Sequence, residues 1–100
     1  MAQNEQSVQN KIEKYLKENN IFFEKRQAGG FNYRKGIPDL YFVYNHEHIE
    51  LELKDPHGSP SPMQLAWQRK FKELYGIDSY IVDSVEDVIK IIESKKVVSQ

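Results

Sequence analysis

Three charged side chains in the middle of the chain have the types and spacing that could hold a metal ion. Asp39 opens the apolar segment 39–44, and Glu52 and Lys54 lie in the alternating segment 49–54. Carboxylate oxygens are the ligands that Mg²⁺ prefers. A lysine beside a bound ion can position a water molecule or neutralise charge that develops on a phosphate. The chemistry that these residues could perform together is metal-assisted attack of water on a phosphate.

Strand periodicity predicts that these charged residues share one face of a β-hairpin. Successive side chains of a strand point to opposite faces, so Glu52 and Lys54 share a face that excludes the aliphatic residues of their strand. We expect a four-residue turn at 45–48 with Tyr44 opposite Ile49, because that register joins the apolar residues into one face. It predicts that Asp39 lies opposite Lys54 and diagonal to Glu52.

In this predicted register, Asp39 and Glu52 lie close enough to bind the same ion. Diagonal neighbours lie about 7–8 Å apart at the backbone, within reach of carboxylates that converge on one cation. Two carboxylates and a backbone carbonyl, such as that of Leu53, would suffice.

An ordinary solvated strand face is the alternative interpretation of the same charges. Lys54 would then be only a cross-strand partner of Asp39, worth about 0.2–1 kcal/mol. The combination favours chemistry, because the charges occupy the middle of the hairpin, between a glycine-rich segment and a polar helix face. Two other classes stay open: a catalytically silent module that binds nucleic acid or protein, and an α/β scaffold domain.

The elements that must position these residues follow from hydrophobic periodicity and helix-cap signals. They are a helix at 5–17, strands at 21–27, 39–44 and 49–54, a helix from the cap Ser61 to Tyr75 that ends at Gly76, a strand at 80–83, and a helix from the cap Ser84 to about residue 93. The order α-β-β-β-α-β-α predicts an α/β fold with a central mixed sheet flanked by helices. We expect a single domain at 1–94 and a flexible C-terminal tail at 95–100.

The second predicted helix carries a glutamine beside its apolar stripe. The stripe consists of Met63, Trp67, Phe71 and Leu74, and we expect Trp67 and Phe71 to lie in the core. At 100° per residue, Gln64 lies about 60° from Trp67 and about 20° from Phe71. It can therefore project towards the sheet from the edge of the stripe. A polar boundary residue with no further role is the alternative for Gln64.

Composition limits the classes of protein and of site. The chain has 100 residues, of which 39% are hydrophobic and 29% are charged, which fits one globular domain. It has no cysteine, so any metal must sit on carboxylates, carbonyls or histidines. We expect His46, His48 and His57 to be solvated loop residues, because they lack a metal-ligand spacing. The formal net charge of −1 is not typical of a nucleic-acid binder, although a bound metal inverts the sign of an acidic cluster.

The distribution of apolar residues also predicts the cellular compartment. The first residues contain no apolar run of a signal peptide, and no segment approaches the ~20 apolar residues of a membrane span. We expect an intracellular protein without a membrane partner, in the cytoplasm or, if the chain is phage-encoded, in the cytoplasm of the host.

The order of the motifs resembles the VRR-NUC family of the PD-(D/E)XK nuclease superfamily. Pro38-Asp39 followed by Glu52-Leu53-Lys54 matches the pattern that names the superfamily. The stretches that carry the resemblance to the family are GIPDLYFV, IELELKD, SPMQLAWQRKF and YGIDSYIVDSVED. Their motifs are short, but their order and spacing are specific.

The resemblance implies a restriction-endonuclease-like fold and a DNA endonuclease that depends on Mg²⁺ or Mn²⁺. The implied metal ligands are Asp39, Glu52 and the backbone carbonyl of Leu53, with Glu5 as a further acidic candidate; the implied catalytic set is Asp39, Glu52, Lys54 and Gln64. In this family the glutamine supports the site, and the acidic residue lies on the first helix.

Basic residues on either side of the glycine-rich segment are candidate DNA contacts. Lys25, Arg26, Arg34 and Lys35 precede Asp39, and each phosphate contact would add salt-dependent affinity. An ordinary charged surface is the alternative for these four residues. One site in a small chain predicts a symmetric homodimer that reaches two DNA strands. Branched DNA such as a Holliday junction suits that arrangement, because its recognition relies on shape and phosphates.

Overall fold

The computed structural model describes residues 4–27, 30, 34–54 and 58–96. Its elements are α1 (Glu5–Glu18), β1 (Phe22–Lys25), β2 (Leu40–Tyr44), β3 (Glu47–Leu53), α2 (Pro62–Tyr75), β4 (Asp78–Val82) and α3 (Val85–Lys95). The strands form one mixed sheet in the order β1-β2-β3-β4. The first two pairings are antiparallel, and β3 pairs with β4 in parallel. The predicted fold class and element order are confirmed.

Helix ends lie at the predicted cap residues. The Ser61 hydroxyl accepts a hydrogen bond from the Gln64 backbone N–H, and the Gln64 side chain accepts one from the Ser61 N–H, which forms a capping box. Gly76 ends α2 with a φ of 66°, the left-handed conformation that glycine adopts without strain. Ser84 caps α3. None of the helices in the described ranges is long and apolar enough to cross a membrane.

The C-terminal helix continues further than its sequence pattern predicted. Lys95, the first residue of the predicted tail, is the last residue of α3, and its ammonium group is bonded to Glu47 and Asp78. Residues 97–100 of the predicted tail lie outside the described residues. The ion pairs explain the two extra residues, because they tie the end of α3 to two strands of the sheet.

The pairing of β2 with β3 differs from the predicted register by two residues. Tyr44 pairs with Glu47, whereas we predicted Tyr44 opposite Ile49. The reason is the turn: Asn45 and His46 alone connect the strands, with φ of 52° and 68°, as a type I′ turn requires. A shift of two residues keeps every side chain on its predicted face, so only the pairing partners change.

The core lies between one face of the sheet and the pair of helices α1 and α3. Buried residues recur at helical spacing in both helices and at alternate positions in β2. The core residues are Val8, Ile12, Leu16, Leu40, Phe42, Ile49, Leu51, Leu53, Val82, Val88, Ile91 and Ile92. The opposite face of the sheet carries the charged side chains of β3, together with the exposed apolar residues Phe22, Val43 and Ile81.

α2 contributes no buried residue, contrary to the prediction that its apolar stripe lies in the core. Met63 and Leu74 are 49% and 65% exposed, and Trp67 and Phe71 are half-buried. The helix lies against the edge strand β4, where Gln68 donates a hydrogen bond to a strand carbonyl at 2.9 Å. Because this contact is partly polar and lies at the edge, the stripe is only partly covered.

Candidate active site

The candidate active site lies at the open end of the β2–β3 hairpin, on the sheet face opposite the core. Continuing the register by one residue past Leu40 places Asp39 directly opposite Glu52, and not opposite Lys54 as predicted. A two-residue hairpin closes on a hydrogen-bonded pair, and pair types alternate along the ladder, so Asp39 and Glu52 form a non-hydrogen-bonded pair. The Cα atoms of such pairs lie only about 4.5 Å apart. The two carboxylates therefore lie closer together than the predicted diagonal arrangement.

Each of the two carboxylates is held by a neighbouring group. Asp39 Oδ2 accepts a hydrogen bond from the Leu53 backbone N–H at 2.7 Å. Glu52 Oε2 accepts one from Gln64 Nε2 at 2.9 Å. The oxygen of the same Gln64 side chain accepts from the Ser61 N–H at 2.7 Å. One side chain therefore serves both the start of α2 and the site, and Gln64 lies where a supporting residue was expected.

Burial and close pairing perturb the ionisation of Glu52, which is 6% exposed. Its pKa is raised from the ordinary value of 4.5 to about 9. Burial is the largest cause, the hydrogen bond with Asp39 and the negative charge of Asp39 act in the same direction, and the positive charge of Lys54 opposes them. The charge of Glu5 also raises the pKa of Glu52, by a smaller amount. These four residues therefore form one electrostatic cluster around Glu52.

The oxygen atoms of the site fit a divalent cation. Within the described part of the chain, Glu52 Oε1 is buried and has no hydrogen-bond partner, which is costly unless a ligand completes it. The continued register sets Leu53 opposite Pro38, and proline has no N–H to donate to the Leu53 carbonyl. Carboxylate and carbonyl oxygens are the donors that suit Mg²⁺ and Mn²⁺.

The remaining ligands of such a cation must come from elsewhere. Residues 4–27, 34–54 and 58–96 contain no group of three or more His, Cys, Asp or Glu side chains that could hold a metal. Mg²⁺ commonly keeps several waters and binds a substrate phosphate alongside one or two carboxylates. Two protein carboxylates are therefore enough for a Mg²⁺ site of this kind.

Lys54 directly follows β3 and is half-buried. Its backbone N–H donates to the Val82 carbonyl at 2.9 Å, which continues the parallel pairing with β4 and holds the start of the side chain. Strand alternation puts Lys54 on the face of Glu52. The structure therefore brings Asp39, Glu52 and Lys54 to one end of one sheet face, although the cross-strand pairing of Lys54 with Asp39 is not formed.

The four predicted DNA contacts lie in different environments. Lys25, Arg34 and Lys35 are exposed to solvent. Arg26 is half-buried, and its Nη2 donates to Glu50 Oε2 at 2.9 Å. Arg26 therefore does not present a free guanidinium group to a phosphate, in contrast to the expectation from the sequence.

A polar cluster around Glu50 was not predicted. Glu50 is fully buried on the charged face of β3, where it pairs with Arg26 and His48. His48 lies in β3 and not in a loop, and its ring stacks on Tyr41 with centroids 4.4 Å apart. His57 lies outside the described residues. The alternation of β3 could have predicted this cluster. It places Glu50 in the middle of a central strand, where a buried carboxylate needs a cationic partner.

Comparison with known proteins defines the class of the domain. A solved structure described as "VRR_NUC domain" superposes on this chain with a TM-score of 0.73 and 26% sequence identity, covering 92% of this chain and 97% of that chain. No protein-family model and no curated protein sequence matches the chain. The structural match supports a nuclease-type domain. The match supports assignment of this chain to the VRR-NUC family, as the order of its motifs predicted.

Proposed function

We propose that this chain is a Mg²⁺- or Mn²⁺-dependent DNA endonuclease that hydrolyses phosphodiester bonds. The observation that carries the proposal is the buried Glu52 oxygen that the described residues leave without a partner. It lies beside Asp39, which the continued register sets opposite Glu52 and whose charge helps to raise the pKa of Glu52. Asp39, Glu52 and the Leu53 carbonyl would hold the cation, with Glu5 as a further donor. A cation bound there would polarise a phosphate oxygen and neutralise charge in the transition state.

The chain's own residues have distinct roles in this proposal. Lys54 offers three N–H donors, with which it would orient the attacking water and stabilise charge on the phosphate. Gln64 holds one oxygen of Glu52, which leaves the other oxygen for the cation. The Leu53 N–H orients Asp39 in the same way. The exposed residues Lys25, Arg34 and Lys35 would contact DNA phosphates.

The proposal extends to branched DNA, such as a Holliday junction, cut by a homodimer. The described residues contain one candidate site, and a two-fold dimer would direct two such sites at two strands. Apolar side chains at the end of α2, including Leu74 and Tyr75, are exposed and could be covered by a second copy. Light scattering on the purified chain would report its mass, and a monomer at micromolar concentration would contradict the dimer.

A thermal melt with Mn²⁺ tests the metal site. A ligand that binds only the folded state stabilises it by about 2.7 kcal/mol at 100 times its Kd, so Mn²⁺ should raise the Tm. The rise should disappear in Asp39→Ala and persist in Glu93→Ala, an exposed carboxylate on α3. An unchanged melt of the wild type at millimolar Mn²⁺ would remove the metal site.

Cleavage of duplex, flap, single-stranded and four-way-junction DNA tests the activity. Lys54→Ala should abolish cleavage and retain the Mn²⁺-dependent rise in Tm, whereas Lys90→Ala, an exposed lysine on α3, should cut normally. Equal activity in Lys54→Ala would exclude Lys54 from the reaction. A wild type that binds Mn²⁺ and DNA but cuts none of the four substrates would favour the catalytically silent module.

A further inference from the structure

An ion pair crosses the sheet immediately beside the candidate site. Arg26 follows β1 and, in the continued register, lies opposite Asp39, which in turn lies opposite Glu52. The Arg26 side chain reaches over β2, where its guanidinium carbon lies 5.2 Å from the centroid of the Tyr41 ring. It donates to both carboxylate oxygens of Glu50 on β3. The pair therefore links three strands at the level of the site.

Arg26 also holds the backbone around Asp39. Its Nη1 donates to the Pro38 carbonyl at 3.1 Å, and its backbone N–H donates to the Asp39 carbonyl at 2.7 Å. β2 begins only at Leu40, so Asp39 lies just outside the regular strand. Among the described residues, the hydrogen bonds to the Pro38 and Asp39 carbonyls both come from Arg26.

Stability alone does not account for the burial of this pair. Glu50 is fully buried, and its carboxylate is satisfied by Arg26 and His48. Apolar residues of similar volume commonly replace a buried ion pair without loss of stability, whereas removal of one partner is strongly destabilising. What an apolar pair could not reproduce is the directed hydrogen bond to the Pro38 carbonyl, next to a candidate metal ligand.

We propose that Arg26, oriented by Glu50, is a positioning residue for the cation site. It fixes the Pro38–Asp39 backbone so that the Asp39 carboxylate meets Glu52, and it contacts neither the cation nor the DNA. The inference rests on the proposed function. Groups that orient metal ligands typically account for about 10–100-fold in metal affinity or activity, and a loss of that size is expected here.

The double variant Arg26→Met/Glu50→Leu tests this role, because it leaves no buried charge without a partner. In the metal-free protein its Tm should stay close to that of the wild type, and its affinity for Mn²⁺, measured by calorimetric titration, should fall about 10–100-fold. Lys95→Met/Asp78→Leu is the matched control. It removes another partly buried ion pair, with an N–O distance of 2.8 Å, and should retain the wild-type affinity for Mn²⁺.

Arg26→Lys separates positioning from DNA contact. Lysine keeps the positive charge beside Glu50, but it lacks the planar fork that donates to Glu50 and Pro38 together. A positioning residue predicts a lower kcat with an unchanged KM for DNA. A higher KM with a weaker salt dependence would identify a phosphate contact and overturn the proposal.

The affinity for Mn²⁺ decides the remaining outcomes. An affinity of the double variant within about twofold of the wild type would refute the positioning role, since about 10–100-fold is expected. If the double variant does not fold, Arg26→Lys is judged by the same affinity criterion, and if neither folds, the pair is structural and the proposal fails. A wild type that binds no Mn²⁺ contradicts the proposed function itself, which is a different result from any of these.

Discussion

Replacement of Glu52 by glutamine should remove a large pH dependence of stability from the metal-free protein. Burial, the hydrogen bond with Asp39 and the charge of Asp39 raise the pKa of Glu52 from 4.5 to about 9. In the unfolded chain the group has its ordinary pKa. Between these two values the folded state therefore holds a proton that the unfolded state has released. Stability must then fall as the pH rises through this window.

The expected size follows from the release of one proton. One proton gives a slope of about 1.4 kcal/mol per pH unit. From pH 6 to pH 8, the wild type should lose about 3 kcal/mol relative to Glu52→Gln. For a chain of this length that loss corresponds to roughly 10–20 °C in Tm. Glutamine has nearly the shape of the protonated acid and no proton to release, so the difference between the two proteins isolates Glu52.

Circular-dichroism melts in EDTA at pH 6, 7 and 8 measure this difference. Glu86→Gln, which changes an exposed carboxylate on α3, should follow the wild type. Parallel curves for the wild type and Glu52→Gln would refute the reasoning, because Glu52 would then be ionised in the folded state. With saturating Mn²⁺ this pH dependence should disappear from the wild type, because neither the metal-bound folded state nor the unfolded state holds the proton between pH 6 and pH 8.

Two further substitutions test how the site is held. A Cβ at Gly36, where φ is +82°, would lie 2.3 Å from Met63 Cγ and 2.9 Å from Met63 Cβ, so Gly36→Ala should lower the Tm. Met63→Ala in the same chain should restore only the part of the steric cost that comes from Cγ, because Met63 Cβ stays in place. A Tm equal to that of the wild type would contradict this close approach. Gln64→Ala should cost about 1 kcal/mol in melts and weaken Mn²⁺ binding. Ser61→Ala, which removes only a cap hydroxyl, should leave Mn²⁺ binding intact, and equal binding in both variants would exclude Gln64 from the site.

The faces of the hairpin could be predicted from the sequence, but their register could not. Alternation fixes which residues share a face, and a shift of two residues preserves that assignment. The shift came from Asn45 and His46, which both adopt positive φ. Histidine is an uncommon choice for a type I′ turn, whose usual second residue is glycine, so local composition gave no reason to prefer the shorter turn.

Helix periodicity likewise identifies an apolar stripe but not what covers it. α2 has the predicted caps and the predicted stripe, yet it lies at the edge of the sheet, where Leu74 stays exposed. Gln64 could be placed near the sheet because its angle on the helix is a local property. The Arg26–Glu50 pair joins residues on two strands that are not neighbours in the sheet. Such a contact depends on the assembled sheet and leaves no local pattern.

Gln64 bonds both the N-terminus of α2 and the candidate metal ligand Glu52, so fraying of that terminus also releases Glu52. Rotation of this one side chain breaks its bond to the Ser61 N–H and its bond to Glu52 together. Helix ends fray far more readily than whole domains unfold. The order of the carboxylate is therefore limited by the local stability of the first turn of α2. By reciprocity, whatever ligand fixes Glu52 in place also suppresses fraying of that turn.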